Sequence, residues 1–470
     1  MALPVRTIYA AAGRRRSGRV ARQAGPVGQS DHGRAVILFV PGGMRTAVVG
    51  AGPSELVGLW DAESVASAPM DAHREVVVVL CTPDGELLGE LPPVVIPAGW
   101  WRDVEDLVSA VWRAFGVRVR ILRILRMPDG DAGRGRYLAE TDTIPAEVSL
   151  HPSDDDPLAE EPRRLRYAQP GGHRTDLGWA WETLRRNGIT PLGSPIQVRT
   201  WNLSSIWRFS TSAGKVWLKA TPAFCDVEAR LLPVLDPGVV PEVFGADSGR
   251  VLLADVHGTD QYEANLVTRC GFIGLLVGLQ QQWIGRVKEL EALALNDYRA
   301  APAIAAIEST IDREVGALDP EERRRLTRLV DGLPRRFAAL EACGVPETLV
   351  HADFHPGNVR GEGGDYRILD WADSAIGNPL LDLRPTLEYL SGAERAKVVE
   401  AFVTGWQRTL PGCDARRAAE LAAPLGPLLG AVTYRRFLDN IEPSERPYHD
   451  GDPARALRRA IEITDVATLA

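Results

Sequence analysis

The chain has 470 residues, more than one hydrophobic core sustains, so two or three units of ~150 residues are expected. A formal net charge of -8 and a pI of about 5.6 supply no general positive field, which excludes a role resting on nucleic-acid or anionic-membrane binding. Five scattered cysteines, Cys81, Cys225, Cys270, Cys343 and Cys413, form no C-x-x-C pair; this argues against a zinc knuckle or disulfide framework and fits a reducing cytoplasm, and no stretch reaches the roughly 18 apolar residues of a membrane span.

The opening "MALPVRTIYAAAGRRRSGRVARQAGPVGQS" is arginine-rich and free of acids, open to readings as a transit peptide, a basic arm or a segment without function. Its scarce large apolar residues favour a disordered extension over residues 1–45, with Met44 an alternative start. Residues 46–145 are expected to form an accessory α/β domain. There "REVVVVLCTPDGELLGELPPVVIP" reads as two β-branched runs around a Pro-Asp-Gly turn. "WRDVEDLVSAVWRAFGV" then places Val104, Leu107, Val108, Val111, Trp112 and Phe115 at helical spacing, with Gly116 as the stop. With the β-rich "VRVRILRIL" after it, this order loosely resembles a Nudix fold, whose helix carries magnesium-binding glutamates; Arg113 and Ala114 stand at the positions that should be acidic, so a non-catalytic unit is expected.

Residues 146–173, with prolines, an acidic run and a basic cluster, read as a linker, the alternative being a regulatory strap across the next domain. Next, "TDLGWAWETLRRNGI" predicts a helix capped by Thr175 or Asp176 and ended at Gly188. Two alternating strands follow in "IQVRTWNLSSIWRFSTSAGKVWLKATP", then a helix in "AFCDVEARLLPVL" and a strand in "RVLLADVHG". The remainder is mostly helical. A small β-rich lobe over 174–258 and a large helical lobe over 259–470 have the order of a two-lobed kinase, giving an α+β class overall.

The chemistry concentrates in "LVHADFHPGNVR". Its His351, Asp353 and His355 alternate along an extended segment and admit a metal clip; an ordinary polar turn and a phosphotransferase loop are the other readings. The clip accounts for neither Asn358 nor the second acid, Asp370, which follows a strand-like run in "YRILDWADSAIGNPLLDL". Phosphoryl transfer needs an acid to orient the acceptor hydroxyl, and a second acid with an amide to hold magnesium on the phosphates. His351, Asp353 and Asn358 also match the H-x-D-x-x-x-x-N spacing of the protein-kinase catalytic loop.

"HADFHPGN" followed by "ILDWADSAIGNPLLDL" closely resembles the aminoglycoside phosphotransferase and choline kinase-like family of the protein-kinase-like superfamily, from about Thr175 to the C-terminus. The resemblance implies a catalytic Asp353 buttressed by His351, magnesium ligands Asn358 and Asp370, and a structural Asp382. Ala352 replaces a frequent glycine, a change expected to matter little because the side chain stays small. Lys219 would reach the nucleotide phosphates, fixed by Glu228, with Lys215 its rival. No glycine-rich motif precedes Lys219, so Ser204 and Ser205 in the turn "NLSSIW" are expected to contribute instead. Leu252 to Gly258 would form the hinge that meets the base.

Near the C-terminus Asp439, Glu442, Glu445, Asp450 and Asp452 gather with Tyr434, Phe437 and Tyr448, either as an acceptor pocket for an amino-bearing molecule or as a solvated acidic loop. "IGRVKELEALAL" is open to the same two readings. The expected activity is ATP- and magnesium-dependent phosphorylation of a hydroxyl on an aminoglycoside-like or other small polar acceptor. A catalytically weak, nucleotide-binding regulatory protein of the same shape is the alternative.

Overall fold

The computed structural model describes residues 35–40, 43–48, 73–126, 134–153, 155–388 and 390–469. Strands β1 (Ala35–Val40) and β2 (Gly43–Val48) pair as an antiparallel hairpin. The extension expected through residue 45 is therefore strand from Ala35 onward, where "AVILFV" is apolar and rich in strand formers. Its basic part, residues 1–34, lies outside the described residues.

From His73 a mixed five-stranded sheet forms from β3 (His73–Cys81), β4 (Leu87–Glu90), β5 (Val94–Pro97), β6 (Arg120–Arg126) and β7 (Gly135–Glu140). β3 runs parallel to β7, and the other pairs are antiparallel. Helix α1 (Glu105–Phe115) ends where expected, Gly116 adopting a left-handed φ of 66° and returning its N–H to Trp112. Val104, Leu107 and Val111 are buried against Val76, Val78, Ile96 and Tyr137, whereas Trp112 is exposed under the Arg118 guanidinium. No group of three or more His, Cys, Asp or Glu side chains is gathered to hold a metal among the described residues.

Residues 146–173 do not behave as a free tether. His151 exchanges two backbone hydrogen bonds with Glu90 at the sheet edge, and Tyr167 is buried with its hydroxyl donating to Trp201 O at 3.0 Å. Helix α2 (Gly172–Arg186) starts earlier than the sequence suggests. Asp176 is not its cap; it is buried and ion-paired to Arg166 at 2.8 Å.

The small-lobe sheet is antiparallel, in the order β11 (Val243–Asp247), β12 (Arg250–Ala254), β10 (Gly214–Ala220), β9 (Ser204–Thr211), β8 (Ile196–Trp201), with α3 (Val227–Leu231) between β10 and β11 in sequence. Buried Gln197 of β8 joins this sheet to the accessory one, accepting from Ile121 N at 2.7 Å and donating to Ile121 O at 2.8 Å as a neighbouring strand would. The two sheets are thus joined through both polar groups of Ile121.

In the large lobe, β13 (Thr259–Asp260), α4 (Leu266–Gln282), α5 (Val287–Ala292), β14 (Asn296–Asp297), α6 (Ala300–Glu314), α7 (Pro320–Asp331) and α8 (Leu333–Ala342) lead to the two motif loops. These loops are framed by the short strands β15 (Thr348–Val350), β16 (Val359–Glu362), β17 (Asp365–Ile368) and β18 (Ala375–Gly377). Helices α9 (Leu383–Leu387), α10 (Gly392–Thr409), α11 (Ala415–Ala422), α12 (Leu425–Asn440) and α13 (Asp452–Leu469) complete the lobe, α10 packing on α4 and α12 on α13. No helix among the described residues is long and apolar enough to cross a membrane.

Just before β13, Gly258 has a φ of 97°, and a Cβ there would come within 2.5 Å of the Gly361 backbone. Only glycine lets β13 reach β16 in this way.

Candidate active site

β15 delivers His351 into the interior, where both ring nitrogens are committed. Nε2 lies 2.9 Å from Leu369 O and must donate, while Nδ1 accepts from Asp353 N at 3.3 Å. The ring is therefore the neutral Nε2–H tautomer, and burial pushes its pKa down. Since His351 has no lone pair left, the metal clip of His351, Asp353 and His355 does not exist.

Asp382 sits beneath this loop, fully buried, and accepts from His351 N at 2.9 Å, Ala352 N at 2.7 Å and Gln280 Nε2 at 2.8 Å. Burial pushes its carboxyl up to about 7 against the pull of those three donors. Ala352 between them has a φ of 70°, so replacing glycine costs backbone strain, contrary to the expectation drawn from side-chain size.

Asn358 closes the loop, its Nδ2 donating to Asp353 O at 2.9 Å and Asp353 Oδ2 at 3.0 Å. The amide oxygen is thereby left for another partner. Leu369 N donates to Asn358 O at 2.7 Å, which clamps the first motif loop to the second, just before Asp370. His355 Nε2 lies 3.6 Å from Asp353 Oδ2; burial alone would lower its pKa, but that carboxylate outweighs it and the net shift is upward.

Across the cleft, β10 presents Lys219, whose Nζ is 2.7 Å from Glu228 Oε2 and 2.6 Å from Asp370 Oδ1. Burial would depress the ammonium, yet the Asp370 and Glu228 carboxylates hold it well above the ordinary lysine range. Glu228, 3% exposed, is pushed up by burial, while Lys219 overcomes burial to draw Asp370 down. Glu228 Oε1 also accepts from Trp371 N at 3.2 Å, so α3 is tied to the second motif loop. Lys215 lies at the exposed start of β10.

The structure thus brings His351, Asp353, Asn358, Asp370, Lys219 and Glu228 to one cleft. Ser204 and Ser205 do not form the turn; only Asn202 and Leu203 do. Ser204 Oγ accepts from Trp201 Nε1 at 2.9 Å and Ser205 Oγ is buried, so neither hydroxyl is presented to a phosphate. The C-terminal acids do not form a pocket together. Asp439 pairs with Arg313 and Arg435, Glu442 with Arg164, and Tyr448 stacks on Trp101 of the accessory domain at 4.6 Å. Glu289 and Glu291 are likewise paired, with Arg286 and Arg299.

Magnesium fits the donor set of this cleft. Asp370 is half-exposed at 50%, and Asn358 bonds Asp353 through Nδ2, so a carboxylate and an amide oxygen would be the hard oxygen ligands for such a cation.

Residues 204–420 match the model of the phosphotransferase enzyme family, APH. No curated protein matches the chain. Among solved structures, similarity extends to a macrolide 2'-phosphotransferase from Brachybacterium faecium, 20% identical over 58% of this chain and 97% of that one, with a TM-score of 0.40. An ethanolamine kinase from Plasmodium vivax is 10% identical over 58% of this chain and 82% of that one, at 0.44. A GDP complex of aminoglycoside 2'-phosphotransferase-IIIa is 14% identical over 61% and 98%, at 0.40. By the family match and the paired motif loops, the segment 204–420 is an APH-type phosphotransferase domain, and the chain is a phosphotransferase acting on hydroxyl groups.

Proposed function

We propose that the protein is an ATP-dependent small-molecule kinase that transfers the γ-phosphoryl group to a hydroxyl of an amino-bearing, aminoglycoside-like or similarly small polar acceptor. One observation carries this reading: Lys219, tied to Glu228, meets Asp370 directly, and Asp370 follows a residue bonded to the Asp353–Asn358 loop.

Lys219 would exchange Asp370 for the nucleotide phosphates, retaining Glu228 as its anchor. Asn358 and Asp370 would hold magnesium, which when bound supplies charge neutralisation on the phosphates. Asp353 accepts the hydrogen bond of the acceptor hydroxyl and aligns it for in-line attack; Asn358 Nδ2 and His355 fix the carboxylate in place. His351 acts through the backbone by holding the loop.

A purely regulatory nucleotide binder would have no use for Asp353 held in this way.

The test is ADP release across aminoglycosides, amino alcohols and sugars, with magnesium and either ATP or GTP. Asp353→Asn is expected to retain nucleotide binding and lose turnover by about 100-fold or more, the scale of a lost general base. Undiminished turnover in that variant sinks the assignment.

A further inference from the structure

β8 is the last strand of the small-lobe sheet, but its outer edge is occupied. Asp103 of the accessory domain bridges Arg199 in antiparallel fashion, Thr200 N donates to Arg102 O at 3.0 Å, and Val104 N donates to Val198 O at 2.9 Å. This short pairing fixes the backbone of Arg102 beside the β8–β9 turn, where a nucleotide-binding lobe of this kind meets phosphate.

The side chain of Arg102 is held as firmly. Its guanidinium carbon lies 3.9 Å from the ring centre of Trp100 and 4.5 Å from that of Trp201, between two indoles. The adjacent carboxylate, Asp103, is engaged by Arg199 at 2.7 Å, and Arg102 Nε is buried without a hydrogen-bond partner. Burial lowers its pKa to about 10, leaving it charged at neutral pH, and both Asp370 and Tyr262 act on that charge. Tyr262 packs on the catalytic loop, its ring stacked 6.1 Å from His355. A pre-set cation thus stands beside the β8–β9 turn, supplied from outside the two lobes.

The turn itself brings little to an anion. It has no glycine, Asn202 is buried with its Oδ1 3.2 Å from His449 Nε2, and the two serine hydroxyls point inward. We propose that Arg102 of the accessory domain supplies the donors the turn lacks, binding the terminal phosphates of the nucleoside triphosphate opposite Lys219 and Asp370. A planar guanidinium offers two parallel N–H groups to phosphate oxygens, and stacking between indoles sets its plane in advance.

This rests on the kinase reading, and the experiment separates the two. Binding of a non-hydrolysable ATP analogue with magnesium, and of adenosine, is measured without acceptor on the full chain for wild type, Arg102→Gln, Arg102→Lys and Asp370→Asn. Expected is a loss of about 10- to 100-fold in analogue affinity for Arg102→Gln, the scale of a charge-assisted hydrogen-bonded pair, with only partial recovery in Arg102→Lys. Unchanged adenosine affinity shows that the variants are folded. Wild-type analogue affinity in Arg102→Gln overturns the proposal, as does tighter binding, which would make Arg102 a plug. If Asp370→Asn also binds the analogue as wild type does, the kinase reading itself fails.

Discussion

Replacing Asp382 tests whether the catalytic loop is held from below. Its carboxylate satisfies two backbone N–H groups, at His351 and Ala352, and the amide of Gln280, all in the interior. Asp382→Ala orphans three donors; at about 1–3 kcal/mol for each unsatisfied buried group, with partial relaxation, the expected loss is about 4 kcal/mol. Asp382→Asn keeps the shape but turns an N–H₂ toward one of the donors, an expected loss of about 2 kcal/mol. For a cooperative unit of this size these correspond to melting-point drops of roughly 8 and 4 °C. Differential scanning calorimetry reads the stability, and hydrogen exchange over residues 348–358 locates it. The same variants should lose turnover more than nucleotide affinity, because Asp353 hangs from the loop that Asp382 braces. An Asp382→Asn protein that melts and turns over as wild type does would refute the brace.

Ala352→Gly is expected to stabilise by about 0.5–1 kcal/mol, the left-handed strain of alanine exceeding the added entropy of glycine; a lowered melting temperature would contradict this. Glu445, 3% exposed, is pushed up to about 8 by burial and by the neighbouring Glu442 carboxylate. Its folded pKa lies above the unfolded one, so its contribution is complete below about pH 4.5 and is lost as pH rises to 8; Glu445→Gln should flatten that decline and melt higher at pH 8 by about 1–3 kcal/mol of stability, while an unaltered pH profile would count against it.

The convergence of Asp353, Asn358 and Asp370 was legible because phosphoryl transfer calls for such residue types at fixed spacing, and they stand on two loops joined by short strands. Lys219 and Glu228 were legible for a similar reason, an alternating strand running into a helix. The errors lie where tertiary context decides. Asp176 looks like a helix cap, yet Arg166 and Arg250 draw it inward. Ser204 and Ser205 look like loop hydroxyls because the sequence cannot show that Trp201 pairs with Ser204 and closes the turn at two residues. The acids near the C-terminus look solvated or ligand-binding until their arginine partners, Arg313 and Arg164, arrive from elements 126 and 278 residues away. Arg102 carried no signal of its own, since edge pairing to β8 and stacking on Trp201 exist only after the accessory domain docks.

That docking alters how the lobes can move. A two-lobed phosphotransferase ordinarily opens about its hinge, here the segment Leu252 to Gly258. In this chain a second connection runs from the large lobe to the small one through the accessory domain. Glu442 is ion-paired to Arg164 at 3.1 Å, Tyr448 stacks on Trp101, and His449 meets Asn202 at the turn itself. On the other side Gln197 locks the accessory sheet to β8 through both polar groups of Ile121. Opening about the hinge alone would pull Glu442, 3% exposed, away from Arg164 and Arg123, at the cost of that buried ion pair. Motion that keeps Arg164, Trp101 and Asn202 moving with residues 442–449 avoids that cost. An opening in which the accessory domain and this C-terminal segment travel together would leave all of these contacts intact.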